Sequence, residues 1–284
     1  MAILRNLVVD GATRLSLGPH PDRASQDAEA LLIHTLGKDK AWLMAHAGEE
    51  TPAAWAVRYT EMLKRRCLGE PMQYIVCEAE FYGLPFRVTP DVLIPRPETE
   101  HLVEKVVELA GRFAAPRIVD VGTGTGAIAV ALASHLRGAV ITAIDISSPA
   151  VELARQNAEM NGVLQQIDFL EGDLLVPVAG QQFEVVSSNP PYVPEIDRAS
   201  LSVEVRDHEP ALALFAGNDG LDIYRRLIPA AFGVLVCGGF VALEIGYGQS
   251  EAVSELLSAS GFQQLDFISD LQNIPRVAIA CRPS

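Results

Sequence analysis

Asn189-Pro190-Pro191-Tyr192 combines residue types suited to chemistry on a neutral nitrogen. It follows the apolar run Phe183-Glu184-Val185-Val186-Ser187-Ser188, which stops at prolines that cannot donate to a β-ladder. The pattern predicts a buried strand running out into a stiff loop. Asn189 has an accepting amide oxygen and a donating NH2, and Pro190 offers a carbonyl with no competing N–H. Acceptors held side by side match the protons of a planar –NH2 group. Such a nitrogen is a poor nucleophile, because its lone pair is delocalised, unless it is held against an electrophile. Tyr192 is placed to stack on the flat group. The plainer reading of the same stretch is a turn begun by Asn-Pro and stiffened by Pro-Pro.

Upstream lies a second stretch with chemical potential, Asp120-Val121-Gly122-Thr123-Gly124-Thr125-Gly126, after an expected strand and before an expected helix. Glycines in that context let backbone approach a ligand closely, and Gly122 to Ala127 fits the dinucleotide pattern with alanine last. Alone, that match is weak. Asp145, about twenty residues on at the tip of the next strand, is placed to accept both hydroxyls of a ribose; the alternative is a helix cap beside Ser147 and Ser148. An acid at position 120 repels a pyrophosphate and suits a cationic aminoacyl end, which points to S-adenosyl-L-methionine as cofactor. Asp173 and Leu174 follow the third strand, where an adenine would rest; Gly172-Asp173 also reads as a simple turn. In Leu93-Ile94-Pro95-Arg96-Pro97-Glu98-Thr99-Glu100, Arg96 and Glu98 are either a local ion pair or polar groups aimed into a site, and spacing favours the pair.

The elements that must position these groups follow from hydrophobic period. From residue 116 onward strands and helices alternate. Strands are expected over 117–121, 140–145, 167–170, 183–188 and 240–245, and helices over 127–136, 149–160, 222–236 and 250–258. Two last strands, 265–268 and 277–280, are too close for a helix between them and should pair antiparallel. The implied fold is α/β, a mostly parallel sheet covered on both faces. Before it, residues 25–66 show helical spacing in Ala28, Leu31, Leu32, Thr35 and Leu36, then in Trp55, Tyr59, Met62 and Leu63. Asp22 or Ser25 can cap the first helix, Gly37 can end it, and Thr51-Pro52 can start another. Domain limits are expected at 1–73 for a helical docking domain, 74–92 for a β-hairpin linker and 93–284 for the catalytic domain.

Composition narrows the function classes. The 284 residues are 49% hydrophobic and 20% charged, with no apolar run long enough to span a bilayer, and residues 1–10 show no leader pattern. A cytoplasmic protein with no membrane partner is expected. Cys67, Cys77, Cys237 and Cys281 have scattered spacing and read as reduced thiols filling packing space, and the histidines form no ligand pair, so no metal is expected. A formal net charge of −14 opposes broad nucleic-acid binding. Lys64-Arg65-Arg66 is the densest basic run and reads as the solvated end of a helix.

Taken with Phe81-Tyr82-Gly83 and Glu209-Pro210-Ala211-Leu212, these stretches make the chain resemble the HemK/PrmC family, which methylates the glutamine of class I peptide chain release factors. The resemblance runs through most of the chain, and the Ile-Pro-Arg-Pro-Glu-Thr-Glu stretch is its narrowest motif. Leu174 departs from relatives that carry an aromatic beside the adenine. The resemblance implies a seven-stranded Rossmann-like class I methyltransferase domain behind a small helical domain and a hairpin. It implies that Gly122 to Gly126, Asp145 and Leu174 contact S-adenosylmethionine, with Asp120, Asp173 and Asn189 expected beside them, and that Asn189 to Tyr192 hold the glutamine of a Gly-Gly-Gln loop, with Arg96 and Glu98 as further candidates on the substrate side. Catalysis is then mainly positioning, with no general base required, and a monomer is expected. A DNA adenine or ribosomal-RNA guanine amino-methyltransferase shares the cofactor loop and the Asn-Pro-Pro-Tyr logic but usually carries a basic face. A nicotinamide oxidoreductase leaves Asn189 to Tyr192 without work, and a catalytically silent binding protein leaves both sites unexplained.

Overall fold

The computed structural model describes residues 3–284; the first two residues of the expected helical domain and of the expected leader-free stretch lie outside the described residues. The chain forms two units, one of residues up to Cys77 with Leu201–His208, the other of Glu78–Ser200 with Glu209–Ser284.

The first unit contains α1 (Leu4–Leu15), α2 (Ala24–Leu36), α3 (Lys40–Ala45), α4 (Ala53–Cys67) and α5 (Met72–Val76). The apolar spacing of α2 buries Ala28, Leu31, Leu32, Thr35 and Leu36, and Gly37 ends it at φ +62°. No side chain caps its start, so neither Asp22 nor Ser25 has that role. Helix α1 was not anticipated. The Tyr59 hydroxyl of α4 donates to the carbonyls of Leu7 and Ala28, joining α1, α2 and α4.

The basic run does not end in solvent. Lys64 and Arg65 are exposed, but Arg66 is 2% exposed. Its Nε donates to Asp27 at 2.7 Å, and its Nη1 donates to the Glu70 carbonyl and to Glu204. The cause is helical period: Arg66 lies four residues after Met62 and three after Leu63, on the buried stripe, and the acids compensate its charge. Tyr74, expected in the hairpin, is instead buried in α5, whose start Pro71 sets.

The second unit opens with the hairpin β1 (Glu78–Phe81) and β2 (Leu84–Arg87). Tyr82 and Gly83 turn it with φ of +54° and +71°, the double positive φ of a tight hairpin turn. Phe81 and Phe86 are buried against Leu102, Val103 and Val106, so the hairpin packs into the core of this unit.

There follow α6 (Glu100–Ala110), β3 (Arg117–Val121), α7 (Ala127–His135), β4 (Val140–Asp145), α8 (Ser148–Met160), β5 (Ile167–Glu171) and β6 (Phe183–Ser188). Beyond β6 the chain supplies α9 (Val203–His208) to the first unit. It then continues in the second as α10 (Ala211–Leu214), α11 (Asp222–Val234), β7 (Leu235–Glu244), α12 (Ser250–Ala259), β8 (Gln263–Ser269) and β9 (Pro275–Cys281).

The seven strands order as β5-β4-β3-β6-β7-β9-β8, with β9 antiparallel to both neighbours and the others parallel. This is the expected α/β sheet. Strand β7 starts earlier than expected, at Leu235. Its register against β6 shifts between the Phe183↔Leu235 and Val185↔Phe240 pairs, and Gly238 within that interval sits at φ +77°. Of the cysteines, Cys281 is buried, whereas Cys77 and Cys237 are exposed and fill no packing space. No described helix is long and apolar enough to cross a membrane.

Candidate active site

Parallel strands bring their C-terminal ends to one edge. In this order the chain reverses between β3 and β6, where an α/β sheet leaves a crevice. A cavity of about 450 Å³ lies there, lined from β3 by Gly122 to Thr125, from β4 by Asp145, and from beyond β5 by Asp173 and Leu174. The far wall includes Ser188, Asn189, Pro190 and Pro191 after β6, and Arg96 and Thr99 before α6.

Backbone bonds fix the glycine loop: the N–H groups of Gly122 and Thr123 both donate to the Ile144 carbonyl, at 2.8 and 3.0 Å. Gly122 and Gly124 have φ of +72° and +54°, and nothing lies within 4 Å of where a Cβ would stand. That open space lets a ligand lie against the backbone. Gly126 has a different role. Its Cβ would stand 3.0 Å from the Ala154 Cβ of α8, so it permits close packing and does not line the cavity.

Asp145 accepts from the Gly124 N–H at 2.8 Å on Oδ2 and from the Ser147 N–H at 2.9 Å on Oδ1. Each oxygen keeps a lone pair for another donor. The cap of α8 is Ser147, whose Oγ accepts from the Ala150 N–H, and not Asp145. Burial raises the Asp145 carboxyl above its ordinary range.

Asp120 is wholly buried and outside the cavity lining, so it meets no cationic ligand directly. Its carboxylate accepts from the hydroxyls of Thr123 at 2.7 Å and Ser187 at 3.2 Å. Burial pushes it up to about 6. A strand residue immediately before a loop can turn under that loop, and Asp120 does so, acting through Thr123. Asp173 and Leu174 line the cavity; Asp173 pairs with Arg226, and Leu174 has φ +49°.

Arg96 does not pair with Glu98. Its Nη2 donates to Glu209, whereas Glu98 is exposed and outside the lining. Pro95 and Pro97 set Arg96 in extended backbone, φ −104° and ψ 142°, while Glu98 lies in the following short 3-10 turn.

Tyr192 is likewise outside the lining, so it does not stack on a group held there. Its hydroxyl donates to Glu244 Oε1 at 3.2 Å, and its carbonyl accepts from Gln249 at 2.9 Å. Asn189 Nδ2 donates to Thr99 Oγ1 at 3.0 Å, and that hydroxyl donates to Glu244 Oε2 at 2.6 Å. Thr99 and Glu244, 4% and 2% exposed, were not singled out from the sequence. The local signal for Glu244 was an acid ending the apolar strand Phe240-Val241-Ala242-Leu243. Burial pushes the Glu244 carboxyl up to about 7. Among the described residues no group of three or more His, Cys, Asp or Glu is arranged to hold a metal ion.

A family model described as the methyltransferase small domain matches residues 98–205, and one described as the PrmC N-terminal domain matches residues 12–76. Similar solved folds include a methyltransferase from Pyrococcus furiosus, with TM-score 0.54 and 20% identity, covering 72% of this chain and 91% of that one. The hMettl16 catalytic domain in complex with MAT2A 3'UTR hairpin 6 has TM-score 0.60 and 17% identity, covering 87% and 93%. Sheet order and these matches define a Rossmann-like class I methyltransferase. The release factor glutamine methyltransferase of Koribacter versatilis is 42% identical over 258 residues, 90% of this chain and 91% of that protein. That of Moorella thermoacetica is 42% identical over 258 residues, 91% and 90% respectively. The chain belongs to the release factor glutamine methyltransferase family.

Proposed function

We propose that this enzyme transfers a methyl group from S-adenosyl-L-methionine to the side-chain amide nitrogen of the glutamine in the Gly-Gly-Gln motif of class I peptide chain release factors. The observation that supports this best is the orientation of Asn189. Its NH2 is engaged by Thr99, which leaves its carbonyl oxygen, beside Pro190, for the cavity shared with the glycine loop. Those acceptors suit the protons of a primary amide.

The residues present also fit the cofactor. The open backbone at Gly122 and Gly124 admits close approach, and the spare lone pairs of Asp145 suit ribose hydroxyls. Asp173 is positioned for an exocyclic amine and Leu174 for the face of a ring. Thr125 completes the rim of the loop, and Asp120 holds Thr123 in place. When bound, the cofactor would supply an electrophilic methyl on a sulfonium sulfur, its C–S bond exchanged for a C–N bond to the amide and the sulfur left as a thioether. Asn189 and Pro190 hold the nitrogen in line, Pro191 stiffens the loop, and the amide proton leaves to water after transfer. Arg96, lining the cavity and anchored by Glu209, has guanidinium N–H groups that can donate to backbone carbonyls of the incoming loop. We assign no substrate contact to Glu98 or Tyr192.

The enzyme then works in the cytoplasm as a monomer, on a protein substrate and without direct nucleic-acid binding. Incubation with isotopically labelled S-adenosylmethionine and a class I release factor, followed by peptide mapping, tests this. Label on the motif glutamine is expected; label only at other residues, or none, contradicts it.

A further inference from the structure

We propose that Glu244, acting through Thr99, is the positioning residue that decides which end of the Asn189 side-chain amide faces the cavity. The inference rests on the reading of Asn189 as the amide clamp. A threonine hydroxyl has one proton. In this site it goes to Glu244 Oε2 at 2.6 Å, so Thr99 Oγ1 can only accept from its other neighbour, and Asn189 Nδ2 donates to it at 3.0 Å. With the Asn189 NH2 engaged by Thr99, the carbonyl oxygen is the end left to meet a donor in the cavity. The reversed amide would present a donor to a substrate N–H and repel it.

An ionised carboxylate enforces this order because it has no proton to give. The Tyr192 hydroxyl donates to its other oxygen, at 3.2 Å, so the same carboxylate also anchors the loop after Asn189. Glu244 is 2% exposed and outside the cavity lining, whereas Thr99 and Asn189 both line it, so Glu244 acts at one remove from the reacting atoms.

The groups facing this carboxylate define its titration. Burial and the negative charge of Glu98 raise it, while Thr99, Tyr192 and Arg276 lower it, leaving it near 7. Tyr192 and Tyr224 are themselves held above the ordinary tyrosine range, by burial first, and stay protonated; Arg96 acts only on Tyr192. Tyr224 reaches Glu244 through the backbone carbonyl, to which its hydroxyl donates at 2.7 Å. A protonated Glu244 can donate to Thr99, which frees the Thr99 proton for Asn189 and permits the reversed amide. Turnover should therefore fall as pH drops below about 7.

The test is single-turnover methylation of the motif glutamine across pH by wild type, Thr99→Val, Thr99→Ser and Glu244→Gln, with S-adenosylhomocysteine affinity measured for each. Thr99→Val should lower the rate about 10- to 100-fold with cofactor affinity within about three-fold, and Thr99→Ser should restore most of the rate. Glu244→Gln, which cannot ionise, should show a reduced rate with no acid limb near neutrality. A wild-type rate in Thr99→Val, failure of Thr99→Ser to restore it, or an acid limb that persists in Glu244→Gln overturns the proposal. Loss of cofactor binding in Thr99→Val leaves the decision to the other variants, which change little in volume. If wild type does not label glutamine at all, the proposed function fails; if it does, and Asn189→Ala is slow while Thr99→Val is not, only the role of Glu244 fails.

Discussion

Asp145 and Asp120 are carboxylates placed for different work, and their environments separate them. Asp145 lines the cavity with lone pairs to spare, so Asp145→Ala should weaken S-adenosylhomocysteine binding by about 1.5–3 kcal/mol, roughly 10- to 150-fold by calorimetry. An unchanged affinity would mean that Asp145 only braces Gly124 and Ser147. Asp120 is wholly buried, and its folded-state carboxyl is pushed from 3.8 to about 6. A raised carboxyl contributes most stability when protonated, so its contribution is fully present below 3.8 and is lost as pH rises through about 6. Chemical denaturation of wild type and Asp120→Asn should show a stability difference that shifts toward the variant across that window and is flat outside it.

The site was legible at this scale where its residues are close in sequence. Gly122 to Thr125, Asp145, Asn189 and Pro190 sit at the ends of strands the hydrophobic pattern already located. Thr99 lies 90 residues from Asn189 and 145 from Glu244, and only the folded chain brings the three together. Neighbourhood in sequence points Tyr192 and Asp120 at the cavity and Glu98 at Arg96, but a side chain's direction depends on backbone turns that the residue types do not reveal.

At the scale of elements, the hairpin and α4 are the instructive cases. The aromatic and β-branched run near Gly83 marked a hairpin, yet its faces decide its role: Phe81 and Phe86 are buried in the core of the second unit. Phe81→Ala should cost about 3–5 kcal/mol by denaturant titration, where a solvent-exposed linker would lose almost nothing. Helix α4 was read correctly in its apolar face, but its last turn was not. Arg66 falls on the same stripe and is buried with Asp27 as partner. Arg66→Ala removes the buried partner of that acid, leaving it only the longer contact to Arg23 at 3.8 Å, and should cost about 3 kcal/mol. An exposed helix end would show a change near zero. The sheet alternation was legible because a strand covered on both faces must be continuously apolar; α1 carries an equally helical spacing in Leu4, Leu7, Val8, Ala12 and Leu15, outside the 25–66 range over which helical period is read.

At the scale of the whole molecule, charge and chain path constrain the substrate. A net charge of −14 opposes the phosphate neutralisation that drives nucleic-acid binding, so DNA and RNA should take no label under conditions that label release factor. The cavity lining comes from the second unit alone, so the helical unit supplies no group to it, and its proposed part is to bind the substrate. Removing residues up to Cys77 should therefore leave cofactor affinity within a few-fold and act mainly by raising KM for the release factor. A fragment that methylates release factor with an unchanged KM would count against docking by that unit.

In the proposed function Asn189 positions the amide rather than the cofactor. The most direct test is the single-turnover rate of release-factor methylation by Asn189→Ala at saturating cofactor and substrate, with S-adenosylhomocysteine affinity measured on the same preparation. Loss of one well-placed acceptor should raise the barrier by about 2.7–4 kcal/mol, a fall of roughly 100- to 1,000-fold, with affinity within a few-fold of wild type. A wild-type rate, or a loss confined to cofactor affinity, would contradict it.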